Sequence, residues 1–306
     1  MLPYISVIIP SLNRPAALWK SLNSVLSQDT GGNFEYEIIA VLDRNDKESE
    51  NWLKHETLLN KHLKVFRSQE AGVNSARNLG IKESRGEIIY FIDDDCILPE
   101  KSQLINLCEG FKSYPDASAI GGGYITDNNE RDIFRLSRNQ SDNFYLEANI
   151  SPSGLSGALL GGNAAYKKEV FSKYGFFDES IRYGAAETEL NDRILKGGGE
   201  LYFVKELSVF HSTGKQGLGI YFIKSFLQGR GKAYSIAKNG SPGISFNNKP
   251  RKIWFIHIAI SLNVGFTYKS IAAIFLFFNS FCYWVGIAIG IMSIFKISLG
   301  SEKSLV

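Results

Sequence analysis

Three groups of side chains in this 306-residue chain have types and positions that could do chemistry. The acids Asp93, Asp94 and Asp95 directly follow an apolar run, Glu187 begins a second acidic segment, and His211 lies beyond it. Consecutive carboxylates at a strand end repel one another unless a cation lies there, and Mg²⁺ bound to a diphosphate is a common partner. The groups therefore predict a metal–nucleotide site with a proton acceptor beside it. For the tripeptide alone, a solvated loop after a strand is the alternative.

The segments that must position these groups are short apolar runs rich in Ile and Val, which alternate with helical patterns. Strands are predicted at residues 4–9, 37–42, 63–67, 87–92 and 117–122, and helices at residues 74–84, at 101–114 and after Asn13, which is expected to cap its helix. This alternation predicts an α/β fold with a mostly parallel central sheet and helices on both faces. Ligands of such sheets bind beyond the carboxyl ends of the strands, where Ser11, Asp43 and Asp93 are expected.

The composition narrows the class of protein. Lysine and arginine number 34 against 31 aspartates and glutamates, so the formal net charge of +3 gives no reason to expect nucleic acid as a partner. The cysteines, Cys96, Cys108 and Cys282, have no metal-ligand spacing and suit a reducing compartment. The first residues do not combine a basic segment with an apolar stretch, so we expect no secretory signal and a cytoplasmic catalytic part.

The C-terminal part changes to an apolar composition. Residues 253–268 contain no acid, lysine or arginine, and residues 271–295 contain no charged residue. A transmembrane helix needs about 20 mostly apolar residues, so the second stretch is long enough. Lys249, Arg251 and Lys252 precede the tail and would suit anionic headgroups. We expect a catalytic domain at residues 1–238, a linker at 239–252 and a membrane-associated segment at 253–306, present as a span, a hairpin or an in-plane helix; a buried helix pair is the alternative.

A series of segments occurs in an order that resembles the family 2 glycosyltransferases with the GT-A fold. The segments are Val-Ile-Ile-Pro-Ser-Leu-Asn-Arg at 7–14, Glu-Ile-Ile-Ala-Val-Leu-Asp at 37–43, Gly-Val-Asn-Ser-Ala-Arg-Asn-Leu-Gly at 72–80, Phe-Ile-Asp-Asp-Asp at 91–95, Gly-Gly-Asn at 161–163, Gly-Phe-Phe-Asp-Glu at 175–179, Gly-Ala-Ala-Glu-Thr-Glu-Leu at 184–190 and Val-Phe-His at 209–211. The resemblance covers residues 5–231. It implies a nucleotide-sugar-dependent, inverting transferase.

The resemblance also implies roles for the residues of a donor site. Asp95 would ligate Mg²⁺ or Mn²⁺ on the donor diphosphate, Asp93 would contact the ribose or the metal, and His211 would contact the metal or a phosphate. Further residues expected against the nucleotide sugar, with a UDP-sugar favoured, are Pro10, Ser11, Asn13, Arg14, Asp43, Arg77, Asp94 and Gly162.

The resemblance places the general base at Glu187, which would take the proton from an acceptor hydroxyl. The acceptor is expected to be a glycan or a lipid-linked glycan, in surface polysaccharide synthesis at the cytoplasmic face of the cell membrane. Asp178 and Glu179 are expected to shape the acceptor site, with loop capping as the alternative. Arg230 could face a phosphate of the donor or of a lipid acceptor, or could extend to solvent.

The chain departs from the family pattern at two positions. Leu42 stands where the family often has an acid, which bears on nucleotide identity, and Ala186 replaces the first acid of the usual pair before the base position. Ala186 motivates a catalytically impaired glycan-binding or scaffold protein as an alternative. A sugar-nucleotide nucleotidyltransferase is a further alternative, although residues 11–14 lack the glycine-rich, lysine-bearing loop typical of that class.

Overall fold

A computed structural model describes residues 3–126, 132–181, 184–211, 217–240, 258–260, 262 and 264–302. The strands are β1 (Tyr4–Ser11), β2 (Glu35–Leu42), β3 (Leu63–Arg67), β4 (Ile88–Ile92), β5 (Cys96–Ile97), β6 (Ala117–Gly121), β7 (Tyr124–Ile125), β8 (Asn163–Lys167), β9 (Glu200–Phe203) and β10 (Val209–His211). The helices are α1 (Pro15–Leu26), α2 (Lys47–Leu59), α3 (Val73–Glu83), α4 (Gln103–Ser113), α5 (Ile133–Glu147), α6 (Glu169–Tyr174), α7 (Ala186–Lys196), α8 (Leu218–Asn239) and α9 (Phe266–Glu302).

A seven-stranded sheet in the order β3-β2-β1-β4-β8-β6-β9 forms the centre of the catalytic domain. Its strands pair in parallel except β8, which is antiparallel to both β4 and β6. A smaller sheet, β5-β10-β7, lies where the site is built. The mixed α/β fold with a mostly parallel sheet, predicted from the alternating segments, is confirmed.

Alternation along β1 explains why helices cover both faces of the sheet. Ile5, Val7 and Ile9 point into one apolar core with side chains of α1, α2 and α4, whereas Ile8 points into a second core with side chains of α3, α6 and α7. A strand that is buried on both faces has a nearly continuous apolar sequence, and β1 shows this pattern.

The site opens where two central strands separate. The pairing of β1 with β4 ends at Ile8 and Phe91. Pro10 follows two residues later and has no N–H to donate to a neighbouring strand. Beyond Ile8 and Phe91, β1 and β4 are therefore no longer paired as neighbouring strands, and their ends carry the residues of the site.

Asn13 does not cap α1, so this expectation was wrong. The helix begins at Pro15 after Arg14, whose side chain makes no capping hydrogen bond. Asn13 instead adopts the left-handed conformation, with φ of 51°, and its N–H donates to Asp46 Oδ2 at 2.8 Å. This left-handed residue turns the chain from β1 into α1, a conformation that asparagine tolerates better than most residues.

The C-terminal apolar stretch forms α9, which packs along α8 and against α5. Within the described ranges, residues Phe266–Ile294 are the one helical stretch long and apolar enough to cross a membrane. Residues 241–257, which hold most of the expected linker and the start of the expected tail, lie outside the described residues. The boundaries at 238 and 252 stay predictions.

Candidate active site

Arg77 of α3 is hydrogen-bonded to two segments of the site, the end of β4 at Asp93 and the loop at Gly161. Its Nη2 donates to Asp93 Oδ1 at 3.1 Å and to the carbonyl oxygen of Gly161 at 3.0 Å. The guanidinium lies near the rings of Phe91 and Phe177, at 5.9 and 5.4 Å from their centroids. Arg77 is 4% exposed, so this packing and pairing hold a positive charge beside Asp93.

Glu187 lies in the first turn of α7, close to the same backbone. A Cβ added at Gly161 would lie 2.9 Å from Glu187 Oε2 and 3.2 Å from Arg77 Nη2, and one at Gly162 would lie 2.6 Å from Asp93 Oδ2. These glycines therefore let two carboxylates approach the main chain closely. Burial raises the pKa of Glu187, and the positive charge of Arg77 opposes that rise only in part.

A left-handed turn aims the start of α7 at the site. Gly184 and Ala185 have φ of 69° and 56°. A side chain at Gly184 would collide with Gln228 of α8, since its Cβ would lie 2.6 Å from the Gln228 Cα. Ala185 is an unusual residue for this conformation, and such residues concentrate at functional sites. The turn places Glu187 two residues into the helix.

Asp94 and Asp95 point away from Asp93 toward the end of β1. Ser11 Oγ donates to Asp94 Oδ2 at 2.7 Å. The Arg14 guanidinium contacts Asp94 and also pairs with Asp95, where Nη1 lies 2.7 Å from Oδ2. Burial raises the pKa of Asp94 to about 7, although Arg14 opposes the rise. Asp94 therefore joins β4 to β1 and Arg14, while Asp95 keeps an oxygen for a further partner.

That further partner is His211, at the end of β10. Its Nε2 lies 3.6 Å from Asp95 Oδ1, and its Nδ1 lies 2.9 Å from Asn139 Oδ1. The Asn139 amide nitrogen donates to the His211 carbonyl oxygen, so the amide oxygen is the atom that faces the ring. An amide oxygen only accepts, so Nδ1 donates to it, and this hydrogen bond turns Nε2 toward Asp95. Tyr124 stacks on the imidazole at 4.1 Å.

The pair of Asp95 and His211 fits a divalent cation. Burial alone would raise the pKa of Asp95, but the charges of His211 and Arg14 outweigh it and hold the pKa below its usual value. Cys96 Sγ lies within 4.8 Å of the other two ligand atoms. Burial raises the pKa of that thiol well above its ordinary value, so it keeps its proton and is a poor ligand. Carboxylate oxygen and imidazole nitrogen together suit Mn²⁺ and related metals.

The three expected strand ends meet at one edge of the sheet. Asp43 directly follows β2, and its N–H donates to the Ser11 carbonyl oxygen at 2.9 Å. Its carboxylate accepts a hydrogen bond from the Asn45 N–H at 3.2 Å. With Asp93 after β4, the chain therefore brings together the ends of β1, β2 and β4, as the parallel sheet predicts.

The profile of the family described as Glycosyl transferase family 2 matches residues 6–175, from β1 to the end of α6. The chain belongs to glycosyl transferase family 2. The family and the enzyme class predicted from the ordered segments are thereby confirmed. The nucleotidyltransferase alternative is not supported.

Other proteins resemble this family 2 glycosyltransferase over part of their length. The GalNAc(5)-diNAcBac-PP-undecaprenol beta-1,3-glucosyltransferase of Campylobacter jejuni is 30% identical over 96 residues, which are 31% of this chain and 30% of that protein. The poly(ribitol-phosphate) beta-N-acetylglucosaminyltransferase TarP of Staphylococcus aureus is 30% identical over 103 residues, 32% of this chain and 30% of that protein. The chain thus matches about a third of the length of these relatives.

The fold is shared with a solved mannosyltransferase. The structure of PcManGT from Pyrobaculum calidifontis, in complex with GDP-Man and Mn²⁺, covers 95% of this chain and 88% of its own, with a TM-score of 0.65 and 16% identity. At this identity the likeness concerns the fold, and it confirms the GT-A architecture of the family 2 glycosyltransferase.

Two residues expected in the acceptor site of this family 2 glycosyltransferase, Asp178 and Arg230, lie against or within α8. Burial alone would raise the pKa of Asp178, but hydrogen bonds from Lys238 and Ser180 outweigh it and lower that pKa to about 2. Arg230 is an exposed residue of α8, and its backbone lies against Gly290 of α9. The Asp178 carboxylate is therefore engaged in holding a loop to α8, the alternative role.

Glu179 has a comparable position in the loop before α7. Its carboxylate accepts hydrogen bonds from Ser75 Oγ at 2.7 Å and Asn78 Nδ2 at 2.8 Å. Asn78 also exchanges two hydrogen bonds with the backbone of Phe177, and Asn74 donates to the Asp178 carbonyl oxygen. The loop that leads to Glu187 is therefore attached to α3, the helix that carries Arg77.

Sequence reasoning missed two residues of the site, Asn139 of α5 and Lys224 of α8. Asn139 orients the imidazole of His211. Burial lowers the pKa of Lys224, and the negative charge of Asp95 opposes that change, so the ammonium lies within electrostatic reach of the metal-ligand pair. No local motif marks either residue, because both reach the site through helix packing rather than through a strand end.

Proposed function

We propose that this family 2 glycosyltransferase moves a sugar from a nucleotide-diphosphate donor to a hydroxyl of a glycan or lipid-linked glycan, with inversion at the anomeric carbon. The observation that carries this proposal is that the Glu187 carboxylate is not hydrogen-bonded by the neighbouring side chains that the structure describes. Within the part of the chain that the structure describes, no side chain donates a hydrogen bond to its carboxylate. Glu189, by contrast, is bound by Arg193 at 2.8 Å and by Lys238 at 3.2 Å. Glu187 is therefore the acid of this segment that is free to take a proton.

The donor end of the reaction rests on Asp95 and His211. These two residues would hold Mg²⁺ or Mn²⁺, which supplies positive charge for the departing nucleotide diphosphate. Arg14 and Arg77 add two guanidinium groups close to Asp95 and Asp93. The bidentate geometry of guanidinium suits phosphate oxygens. The strand-end residues Ser11 and Asp43 would lie against the nucleoside, with Pro10, Asn13, Asp94 and Gly162 nearby.

The acceptor end rests on Glu187. Its carboxylate takes the proton of the acceptor hydroxyl while the hydroxyl oxygen forms a bond to the anomeric carbon. The bond from that carbon to the diphosphate oxygen breaks on the opposite face, so the configuration inverts. General-base assistance of this kind is worth about 10²- to 10⁴-fold. Ala186 is buried and stands where the family usually has an acid. Because alanine cannot accept a proton, Glu187 is the proton acceptor of the proposed reaction.

The proposed partners combine the family with the printed activities of similar proteins. One relative is named for an undecaprenol-linked acceptor, another for a poly(ribitol-phosphate) acceptor, and the solved mannosyltransferase was bound to GDP-Man and Mn²⁺. We propose a lipid-linked or polymeric glycan acceptor, a UDP-sugar as the favoured donor, and a location at the cytoplasmic face of the membrane. The apolar α9 supports membrane association.

Calorimetric titration of UDP, GDP and dTDP with and without Mn²⁺ tests the donor site. We expect metal-dependent binding of one nucleotide and loss of that binding in Asp95→Ala. Absence of nucleotide binding under both conditions would favour the glycan-binding scaffold. Once a donor is identified, NMR of the product anomer tests inversion, and retention of the donor configuration would overturn the proposed mechanism.

A further inference from the structure

The exposed side of α9 is apolar from residue 271 to residue 292. Every exposed residue between positions 271 and 292 is apolar, and these residues recur at helical spacing along one side. They are Ile271, Ile274, Phe277, Phe278, Phe281, Trp284, Ala288, Ile289, Ile291 and Met292. We call these residues the apolar stripe. Phe278, Phe281 and Trp284 are 51%, 59% and 62% exposed, so more than half of each side chain at the centre of the apolar stripe is open to solvent. A continuous apolar surface of this kind marks a membrane or protein interaction site.

Asn279 and Gly286 of α9 face inward, toward α8. Asn279 is 6% exposed, and its Oδ1 accepts a hydrogen bond from Ser225 Oγ at 2.6 Å. A Cβ added at Gly229 of α8 or at Gly286 of α9 would collide with the backbone of the other helix. Close approach through small residues and a polar contact between helices is the packing typical of membrane proteins.

The charge distribution indicates which surface meets the apolar stripe. Residues 207–301 contain ten lysines and arginines and no aspartate or glutamate, whereas residues 1–206 contain 23 basic and 30 acidic residues. A cationic segment next to an apolar, aromatic face complements anionic lipid headgroups above a hydrocarbon layer. An anionic bilayer is therefore the partner that fits both features.

The attachment of α8 to the catalytic domain argues against a crossing by α9. Lys232 of α8 lies 3.6 Å from Asp192 of α7, and Lys238 of α8 lies 3.2 Å from Glu189 of α7. Within Phe266–Ile294, any window of about 20 residues, the length of a span, includes residues 275–285. These residues lie alongside α8, which is therefore part of any layer that α9 enters.

A crossing would bury charge in hydrocarbon. Over the paired stretch, α8 carries Lys224 and Arg230, and α5 places the Arg138–Asp142 ion pair, with N–O 3.2 Å, against α8. Charged side chains at the centre of a bilayer are costly, at least about 2.5 kcal/mol each on insertion scales. An orientation parallel to the bilayer puts the apolar stripe in lipid and leaves all of these charges on the aqueous side.

We propose that α9 lies in the plane of an anionic membrane surface with the apolar stripe embedded, α8 above it, and both ends of α9 on the same side. This inference rests on the membrane association included in the proposed function. Packed helix axes lie about 8–10 Å apart, so the site near α8 is held roughly one helix layer above the headgroups. A lipid-linked acceptor could then reach Glu187 without leaving the membrane.

Labelling of single cysteines tests the orientation. Thr267→Cys and Ser301→Cys mark the two ends of α9 in a full-length Cys282→Ser background, since Cys96 and Cys108 are buried. Both positions are expected to react with a membrane-impermeant maleimide in sealed inside-out membrane vesicles. If one position reacts only after detergent is added, α9 crosses the membrane and the proposal is overturned.

Vesicle flotation tests the surface and its lipid preference. We expect the full chain to float with phosphatidylglycerol vesicles, to float less with phosphatidylcholine vesicles, and to bind about tenfold or more weakly in Phe278→Ser/Phe281→Ser. Phe176→Ser removes an exposed ring outside the apolar stripe and is expected to bind as the wild type does. Equal flotation of all three proteins, or none, would overturn the proposal. Mn²⁺-dependent nucleotide binding, measured separately in detergent, reports on the proposed function and can fail independently.

Discussion

Glu187 and Glu189 stand two residues apart on the same helix and have different environments. Glu189 is fully buried, and its carboxylate forms two hydrogen bonds with the Arg193 guanidinium, at 2.9 and 2.8 Å. Glu187 faces the Gly161 backbone and has a raised pKa. A helix turns 100° per residue, so two positions separate the side chains by about 200°. One acid therefore stabilises the fold while the other faces Gly161 and Arg77.

Glu187→Gln is expected to lower kcat by about 10²- to 10⁴-fold, because the amide cannot accept the acceptor proton. Nucleotide binding and the melting temperature are expected to stay near wild type, since the substitution removes no structural contact of the carboxylate. Steady-state transfer assays and calorimetry measure both quantities. Full turnover in this variant would remove Glu187 from the role of base.

Glu189→Gln is the matched control on the same helix. It leaves Arg193 and Lys238 with a neutral partner, so we expect a melting temperature several degrees lower and about 3–5 kcal/mol less stability if the buried pair is fully broken. The kcat per folded molecule is expected to change little. An outcome in which Glu189→Gln abolishes turnover at full stability would assign the base to Glu189.

The raised pKa of Glu187 predicts the pH dependence of the reaction. A base must be ionised to act, so kcat/KM is expected to fall as the pH drops through the pKa of Glu187. Because burial raises that pKa above the ordinary glutamate value of about 4.3, the loss should begin at a higher pH than for an exposed glutamate. A pH profile of wild type beside the residual activity of Glu187→Gln measures this limb. The same limb in both proteins would assign it to another group.

Helix α5 contributes to the site through its packing rather than through a motif. Asn139 holds the ring of His211, and Asn143 Oδ1 accepts a hydrogen bond from the Tyr124 N–H at 2.8 Å. Tyr124 in turn stacks on His211. The helix therefore orients a residue that the smaller sheet carries.

Asn139→Leu is expected to weaken Mn²⁺ binding about 10- to 100-fold, because the hydrogen bond that orients a metal-binding histidine is lost. His211→Ala should weaken binding at least as much. Titration of Mn²⁺ in the presence of the bound nucleotide measures the effect. If His211→Ala weakens binding and Asn139→Leu does not, the orienting role of Asn139 is wrong.

Two glycines of α8 provide a test of the contact between α8 and α9. A Cβ at Gly229 would collide with the Tyr283 backbone of α9, whereas a Cβ at Gly219 meets nothing within 4 Å. Gly229→Ala is expected to destabilise the protein by about 1–3 kcal/mol through overpacking. Gly219→Ala should change stability by less than about 1 kcal/mol. Thermal unfolding in detergent compares them, and equal melting temperatures would contradict the observed packing.

The whole molecule is divided in charge between an acidic catalytic part and a basic C-terminal part. The first 206 residues have seven more acidic than basic residues, and residues 207–301 have ten basic and no acidic ones. The overall charge of +3 conceals this division. The basic part contains α8 and also α9, which carries the apolar stripe, so attraction to anionic lipid and apolar insertion are expected from the same part of the chain.

Binding to anionic vesicles is therefore expected to weaken as salt rises from about 0.01 M to about 1 M, over which the Debye length falls from roughly 30 Å to 3 Å. It should not disappear, because insertion of the apolar stripe is not screened. Flotation at a series of NaCl concentrations measures the trend. Neutral vesicles serve as the control and should show little change; an equal salt response with both lipids would contradict the role of charge.

Much of the catalytic domain could be predicted from local sequence. The apolar runs of β1 and β4 fold as buried strands because their side chains suit both faces of a sheet, and their ends carry Ser11 and Asp93. The ordered segments identified the family, and the uncharged stretch at 271–295 identified the apolar helix. When a side chain directly follows a regular strand, its position at the edge of the sheet can be predicted once the strand is predicted.

The remaining features depend on contacts between distant parts of the chain. Asn139 and His211 are 72 positions apart, and Ser11 and Asp94 are 83 apart. Asn13 faces Asp46 instead of capping α1, and the inward side of α9 is chosen by its fit to α8. Local patterns specify strands, helices and apolar faces, since these depend on neighbouring residues. Which faces meet depends on packing of the whole chain. That packing decides that Glu187 faces Gly161 while Glu189 is paired with Arg193 and Lys238, and it leaves the apolar stripe of α9 exposed.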